Sequence, residues 1–251
     1  MEKNVLMALP AQPIDFIRTV RIGAARRSVV ALIGLALLAA GLSVTTTASQ
    51  AQDAHAVNVA AVKYSGGGDW YQAQSALPNF LEFVNQNTLV DVAPQPEVVE
   101  LSSDKLFSFP FLFLSGHGNV VLSEDEVRRL RRYLVNGGFL YVDDDYGIDE
   151  YIRREMKKVF PEQDFVELPF DHELYHTHYD FPNGLPKIHE HDGEAPQGFG
   201  LFHEGRLVVY YTYETNISDG WESPEVHQTP ADRREAAFRM GTNILTYALM
   251  N

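Results

Sequence analysis

Five consecutive residues, 172–176 (HELYH), fit the pattern H-E-x-x-H. On an α-helix this spacing places two imidazoles one turn apart on a zinc ion and leaves the glutamate as a general base. Pro169 and Pro182 flank the segment and leave little room for such a helix. A zinc-dependent hydrolase is therefore an alternative function, and its metal candidates are His172, His176 and His178.

A second histidine, His117, stands between two glycines just after the apolar run 109–114. Glycine lets a ligand or another loop approach the backbone closely, so this imidazole is a candidate for a ligand cleft. The alternative is a histidine that hydrogen-bonds to Asp143 or Asp144 and holds two loops together.

Three consecutive aspartates, Asp143, Asp144 and Asp145, follow the apolar stretch 139–142. Their carboxylates could hold a cation, exchange protons with a substrate, or cap the next helix. Since consecutive acids alternate faces, all three cannot converge on one ligand. We expect one or two of them to point into the cleft.

Weaker candidates lie in the second half of the chain. Trp221 could stack on a sugar or peptide, although packing under the adjacent loop is the more common role of a tryptophan. A histidine-rich acidic segment could bind a transition ion at its surface or could be an ordinary solvated loop. Its histidines are His172, His176, His178, His189 and His191.

The elements that position these side chains follow from hydrophobic patterning. Short apolar runs predict strands at 56–64, 89–92, 109–114, 139–142 and 165–168, and a hairpin at 200–213 that turns at Glu204-Gly205. Helical spacing predicts helices near 77–84, 123–135, 148–159 and 230–249, the second with a capping box of Ser123 and Glu126.

This alternation of strands and helices predicts an α/β fold with a doubly wound, largely parallel sheet flanked by helices, plus a β-hairpin addition. Loops at the carboxyl ends of the strands should carry the site. They are 66–71, 116–119, 143–146 and the histidine-rich segment.

The first 51 residues have the order of a secretory signal: basic residues, an apolar run at 29–44, and small residues before a cleavage site after Ala51. We therefore expect an exported protein of the periplasm or cell envelope, with a single domain at 52–251. An uncleaved signal, which would anchor the protein in the membrane, is the alternative.

The formal charge of the chain limits the classes of partner that we expect. Residues 1–51 hold five of the 20 Lys and Arg residues and two of the 34 Asp and Glu residues, so residues 52–251 carry 15 basic against 32 acidic side chains, a formal charge of −17. Such a field repels nucleic acid and anionic lipid. The expected partner is a small ligand or an envelope protein, and no cofactor is predicted apart from the zinc of the alternative function.

Six short motifs in this order carry a family resemblance: GGGDWY (66–71), SGHG (115–118), NGGFLYVDDD (136–145), LPFDHELYH (168–176), GRLVVYYT (205–212) and DGWE (219–222). Together they resemble a bacterial family known as domain of unknown function 4159. The resemblance implies a fold similar to class I glutamine amidotransferases, which is flavodoxin-like, in an envelope-associated protein.

Amidotransferases of that class carry a cysteine nucleophile on a sharp turn between a strand and a helix. The turn that would align with it here is 143–145, and the chain contains no cysteine. Cysteine-dependent amidotransferase chemistry is therefore excluded. The leading hypothesis is a non-catalytic ligand- or protein-binding domain whose cleft holds His117, the aspartates 143–145 and His172; the alternative is a hydrolase with a His/Asp cleft.

Overall fold

The computed structural model describes residues 56–72 and 74–251. The expected signal at 1–51 lies outside the described residues. Within the described part of the chain, no helix combines the length and the apolar character that crossing a membrane requires.

The described residues form one seven-stranded sheet. Its strands are β1 (Val59–Lys63), β2 (Glu97–Glu100), β3 (Phe111–His117), β4 (Phe139–Tyr146), β5 (Val166–Glu167), β6 (Gln197–His203) and β7 (Arg206–Tyr213). They lie in the order β2-β1-β3-β4-β7-β6-β5. Strands β2, β1, β3, β4 and β7 pair in parallel, whereas β6 is antiparallel to β7 and β5 is antiparallel to β6. The predicted α/β class with a largely parallel sheet is thus confirmed.

Six α-helices and two short 3-10 helices accompany the sheet in the described residues. The 3-10 helices are Asp104–Ser108 and Glu173–His176. The α-helices are α1 (Ala76–Asn87), α2 (Glu124–Val135), α3 (Asp149–Val159), α4 (Ile217–Trp221), α5 (Pro224–His227) and α6 (Ala231–Met250).

Both faces of the sheet are covered, and β3 shows how its sequence produces this. Phe111 and Phe113 pack in a core with residues of α1, α4 and α6, while Leu112 and Leu114 pack in a second core with residues of α2 and α3. Alternate residues of a strand point to opposite faces, so a strand buried on both faces is apolar throughout.

Two local predictions are confirmed, the capping box of α2 and the turn of the β6–β7 hairpin. Ser123 and Glu126 form the capping box of α2, with the Ser123 amide donating to Glu126 Oε2 at 2.8 Å. The β6–β7 hairpin turns at Glu204 (φ 50°) and Gly205 (φ 82°). Two consecutive positive φ angles are typical of the turns that match the twist of a hairpin.

Two strand predictions were wrong in position. No strand occupies 89–92. The edge strand beside β1 is β2, and Val92 makes only a single bridge with Val57. The Asn85 side chain hydrogen-bonds to both the amide (2.9 Å) and the carbonyl (2.8 Å) of Val92, which replaces a strand partner.

The second error concerns the aspartates, which were placed in a turn after a strand ending at 142. β4 continues to Tyr146, and Asp143 is paired with Ser115 of β3 and Thr212 of β7. Asp143 therefore has strand neighbours on both sides, and the pairing with β3 alone continues through Asp144 to Tyr146. No strand-to-helix turn of the amidotransferase kind lies at 143–145.

Candidate functional site

The carboxyl ends of the parallel strands bring together acidic and histidine side chains from six segments of the chain. We call this group the edge cluster. It consists of Asp69 after β1, His117 at the end of β3, Asp145 in β4, His189 in the loop before β6, Asp219 in α4 and His227 in α5.

His117 owes its position to the glycine before it. Gly116 has φ +136°, and a Cβ at this position would lie 2.5 Å from the Tyr64 hydroxyl oxygen, so only glycine fits. The pairing of β3 with β4 shifts between Gly116 and His117. This irregularity ends the regular pairing and redirects the imidazole over the edge of the sheet.

The His117 imidazole lies between two carboxylates. Nδ1 is 3.1 Å from Asp69 Oδ2, and Nε2 is 3.3 Å from Asp145 Oδ2. Asp69 also accepts a hydrogen bond from the His117 amide at 2.6 Å. The histidine partners are thus Asp69 and Asp145, whereas Asp143 and Asp144, considered from sequence, bind elsewhere.

Asp143 is a structural residue of the core between β4 and α4. Its Oδ2 accepts hydrogen bonds from the amide and the hydroxyl of Ser218, both at 2.6 Å, and its Oδ1 accepts one from the Thr212 hydroxyl at 2.6 Å. Burial raises the pKa of this carboxyl, and the hydrogen bonds oppose that rise. Its lone pairs are occupied by the fold.

Asp144 points to the opposite face of the strand. It accepts a hydrogen bond from the Ile148 amide at 3.1 Å, just before α3, and another from the Tyr211 hydroxyl at 3.0 Å. Burial raises the pKa of Asp144 to about 6. This aspartate therefore fastens the start of α3 to β7.

Asp145 is the aspartate that reaches the edge cluster, and it lies beside Asp219. Asn216 Nδ2 is 2.9 Å from Asp145 Oδ1 and 3.4 Å from Asp219 Oδ2, so one amide contacts both carboxyl groups. Both aspartates are 3% exposed. Burial raises the pKa of both carboxyls, and the charge of Asp219 adds to the rise at Asp145.

Two further histidines approach Asp219 from outside. His189 Nδ1 is 2.8 Å from Asp219 Oδ2, and His227 Nε2 is 3.3 Å from Asp219 Oδ1. The backbone amide of His189 donates to the Thr215 carbonyl oxygen at 3.2 Å, which holds its loop against the end of β7. Burial lowers the pKa of His227, which favours its neutral form.

The sequence patterns place His189 only in a histidine-rich surface cluster and do not indicate a role for Asp69, His227, Asn216 or Asp219. Two of the family motifs, GGGDWY and DGWE, contain Asp69 and Asp219. Those motifs were the signal for the two acids, whereas no local pattern distinguishes His227.

The H-E-x-x-H segment lies apart from the edge cluster. His172 packs near Phe202 and Tyr247, with ring centroids 6.3 Å and 5.6 Å away, and Tyr247 in turn contacts Phe139 at the start of β4. It therefore lies toward the amino ends of the parallel strands. The structure does not bring His172 to the cleft with His117.

The other two metal candidates are also engaged locally. His176 has Nδ1 at 2.5 Å from Asp180 Oδ1 and Nε2 at 2.9 Å from the Phe170 carbonyl oxygen. His178 packs edge-on against Tyr179. Residues 173–176 form a 3-10 helix rather than the α-helix that the zinc motif requires.

Trp221 is a core residue. It is 1% exposed, stacks on Phe80 with centroids 4.3 Å apart, and donates from Nε1 to the Ala237 carbonyl oxygen at 2.9 Å. It joins α4 to α1 and α6 beneath Asp219 and does not face a ligand.

A pocket of about 210 Å³ opens beside the edge cluster. Three of its residues have a buried polar atom without a hydrogen-bond partner: Asp145 Oδ2, Asn216 Oδ1 and His191 Nε2. The His191 ring stacks on Tyr146, another lining residue, at 4.6 Å. The remaining lining residues are Asp144, Gly147, Asp149, Asp192, Tyr213 and Glu214.

Fold and site together define an α/β domain with an acidic, histidine-containing cluster at the carboxyl edge of a largely parallel sheet. The chain belongs to the family described as domain of unknown function (DUF4159), whose family model matches residues 58–249. None of the curated proteins matches the chain.

Proposed function

We propose that this protein is an exported, non-catalytic binding domain of the cell envelope, built on an amidotransferase-like scaffold without the cysteine nucleophile. Its ligand is a small molecule that presents a positively charged hydrogen-bond donor, such as an ammonium or guanidinium group, to the pocket beside the edge cluster.

The observation that carries this proposal is that three residues lining one pocket each have a buried polar atom without a hydrogen bond. These atoms are Asp145 Oδ2, Asn216 Oδ1 and His191 Nε2, and His117 Nε2 lies 3.3 Å from Asp145 Oδ2 without donating to it. A buried polar atom without a partner is costly, at about 1–3 kcal/mol, and such atoms are rare in native proteins. Two of the three are oxygens that can only accept hydrogen bonds. These atoms are enclosed, so a small movement of the side chains would bring them to a hydrogen-bond donor of the ligand and remove this cost.

Charge supports the same class of ligand. Asp149 and Glu214 of the pocket wall are paired with Arg153 and Lys187, both at 2.7 Å. Among the described residues, the ion pairs of the inner carboxylates Asp145 and Asp219 are with histidines only. Two adjacent carboxylates with no fixed cation favour a positively charged ligand.

The strand order supports the scaffold. The five parallel strands, β2-β1-β3-β4-β7, follow the flavodoxin-like order 2-1-3-4-5. In that fold, ligands bind between β1 and β3, where the strand order reverses. Asp69 follows β1 and His117 ends β3, so these two residues of the edge cluster lie at that point.

Binding is tested by isothermal titration of the purified protein with agmatine and with spermidine, in buffer containing EDTA. We expect saturable binding of at least one probe and a loss of about tenfold or more in affinity, about 1.4 kcal/mol, in Asp145→Asn. Asp164→Asn is the matched control, since it removes the same charge from a side chain that is 85% exposed and paired with Lys157.

Wild-type affinity should be kept within about twofold in Asp164→Asn. Absence of saturable binding of both probes, or an equal loss in the two variants, contradicts the proposal. Circular dichroism spectra and melting curves of both variants establish that they are folded.

A second candidate function, hydrolysis, is favoured by the Asp69–His117–Asp145 arrangement, in which an imidazole lies between two carboxylates. A carboxylate that orients an imidazole is the usual arrangement of a general base. A screen of ester, phosphoester and peptide substrates tests it: turnover that disappears in His117→Ala would replace the binding proposal, and absence of turnover removes this candidate.

Export is tested separately by N-terminal sequencing of the protein from the periplasmic fraction. The proposal expects a start near Gln52. Membrane-bound protein that retains residues 1–51 would contradict this and show that the segment is an uncleaved membrane anchor.

A further inference from the structure

A metal site is suggested by three side chains that meet at the outer side of the edge cluster. His189, Asp219 and His227 each offer one ligand atom, and these three atoms lie within 4.8 Å of one another. His189 Nδ1 lies 2.8 Å from Asp219 Oδ2, and His227 Nε2 lies 3.3 Å from the other carboxyl oxygen, Oδ1. Ligand atoms of a tetrahedral zinc ion with bonds of about 2.0–2.1 Å lie about 3.3 Å apart. Small side-chain movements therefore suffice to enclose an ion.

Asp145 supplies an independent observation. It is 3% exposed, and its Oδ2 makes no hydrogen bond, although His117 Nε2 lies 3.3 Å away. Through Asn216 Nδ2 its carboxyl group is held next to that of Asp219. A buried carboxyl oxygen that makes no hydrogen bond, beside a second carboxyl group, is an environment that a cation stabilises.

We propose that His189, Asp219 and His227 bind one divalent transition-metal ion of the zinc type, with Asp145 next to it. This inference goes beyond the proposed binding function: the ion would lie at the outer side of the same pair of carboxyl groups, and EDTA in the titration with organic cations keeps the two tests separate.

The donor atoms select the class of ion. Two imidazole nitrogens and a carboxylate suit zinc, copper or nickel, whereas calcium and magnesium prefer sites made of oxygen atoms. Among the described residues, His189, Asp219 and His227 are the group of histidine and acidic side chains whose ligand atoms lie within 4.8 Å of one another. His172 and His176 of the H-E-x-x-H segment do not belong to this group.

Exposure defines what the site would leave open. The Asp219 side chain is 3% exposed and bonded to the fold, while His189 is 50% and His227 is 28% exposed. The aspartate is thus a fixed ligand at the base, and the two imidazoles close over it from solvent. Three protein ligands leave a fourth tetrahedral position for water or an added ligand.

The experiment is a titration of the EDTA-treated and dialysed full protein with zinc chloride, in competition with a chromophoric chelator, repeated with cobalt chloride. We expect one zinc ion per chain and a visible cobalt absorption typical of four-coordinate nitrogen and oxygen ligands. His189→Ala and His227→Ala should each weaken zinc binding by more than about tenfold. Both histidines are partly exposed, so these variants should fold.

His172→Ala and His176→Ala are the matched controls, because they remove histidines of the same chain that lie outside the triad. They should keep zinc affinity within about twofold. Chemical-shift changes of the His189 and His227 rings on addition of zinc to the unmodified protein give a test that needs no variant.

Binding that survives both triad substitutions, or loss of binding in His172→Ala, overturns the metal site. So does absence of stoichiometric zinc. If zinc fails while agmatine or spermidine binds and Asp145→Asn abolishes that binding, the metal inference falls and the binding function stands. If zinc and both organic cations fail, both proposals fall.

Discussion

Replacing Asp144 with asparagine isolates the energetic effect of one buried charge. The carboxyl group is 3% exposed and makes two hydrogen bonds, to the Ile148 amide and the Tyr211 hydroxyl. Asparagine has nearly the same shape and can keep both: its oxygen accepts from Ile148, and its amide donates to the Tyr211 oxygen. Tyr211 can still donate to Asp149, whose Oδ1 is 2.9 Å from the Tyr211 hydroxyl. The substitution therefore removes chiefly the charge.

The magnitude follows from proton linkage. Burial raises the pKa of Asp144 from 3.8 to about 6, so the folded protein holds this proton more tightly than the unfolded chain does. The resulting stabilisation is present below pH 4 and is lost as the pH rises through 6. At about 1.4 kcal/mol for each tenfold change in proton affinity, the loss amounts to about 3 kcal/mol. Asparagine does not titrate, so the variant does not undergo this loss of stability as the pH rises.

The assay is urea denaturation of wild type and Asp144→Asn at several pH values between 4 and 7.5, in EDTA. We expect the free energy of unfolding of the variant, relative to wild type, to increase by up to about 3 kcal/mol across this range. Asp164→Asn, an exposed carboxyl, should follow the wild-type profile. A difference between Asp144→Asn and wild type that is independent of pH, or that changes in the opposite direction, would refute the reasoning.

Two further predictions concern the frame that holds the site. Trp221→Ala removes a fully buried ring and its hydrogen bond to Ala237, and should lower the free energy of unfolding by about 3–5 kcal/mol in urea denaturation; a loss below about 1 kcal/mol would show that Trp221 is not a core residue. Ser123→Ala removes one half of the capping box of α2 and should cost about 1 kcal/mol in the same assay. No measurable change there would mean that this end of α2 does not depend on its cap.

Local patterning predicted most of the secondary structure. Strand β3 was identified because its residues are apolar on both faces, and α2 because its capping box and apolar spacing are contained within a dozen residues. Errors arose where a distant partner decided the outcome. Asp143–145 continue β4 because β7 pairs with it as far as Asp143 and β3 as far as Tyr146. Residues 89–92 are not a strand because the Asn85 side chain takes the backbone hydrogen bonds of Val92.

The candidate site was predicted in part. His117 and the three aspartates were selected because they follow apolar runs, and the alternation of faces along a strand limited how many could reach a ligand. His227, Asn216 and Asp69 were not selected. Asp69 contacts His117, 48 residues away, Asn216 contacts Asp145, 71 residues away, and His227 lies on the short helix α5. No periodicity within a window of the chain reports such contacts.

By itself the sequence determined that thiol chemistry is absent, that the chain is strongly acidic, and that strands and helices alternate, because each of these depends only on composition or on neighbouring residues. The tertiary structure alone decided which histidines share an aspartate. His172 and His189 are separated by 16 residues, yet one lies near the amino ends of the strands and the other at the carboxyl edge. The physical reason is that the sheet gathers the carboxyl ends of strands that are distant in sequence, and a binding site consists of the side chains gathered there.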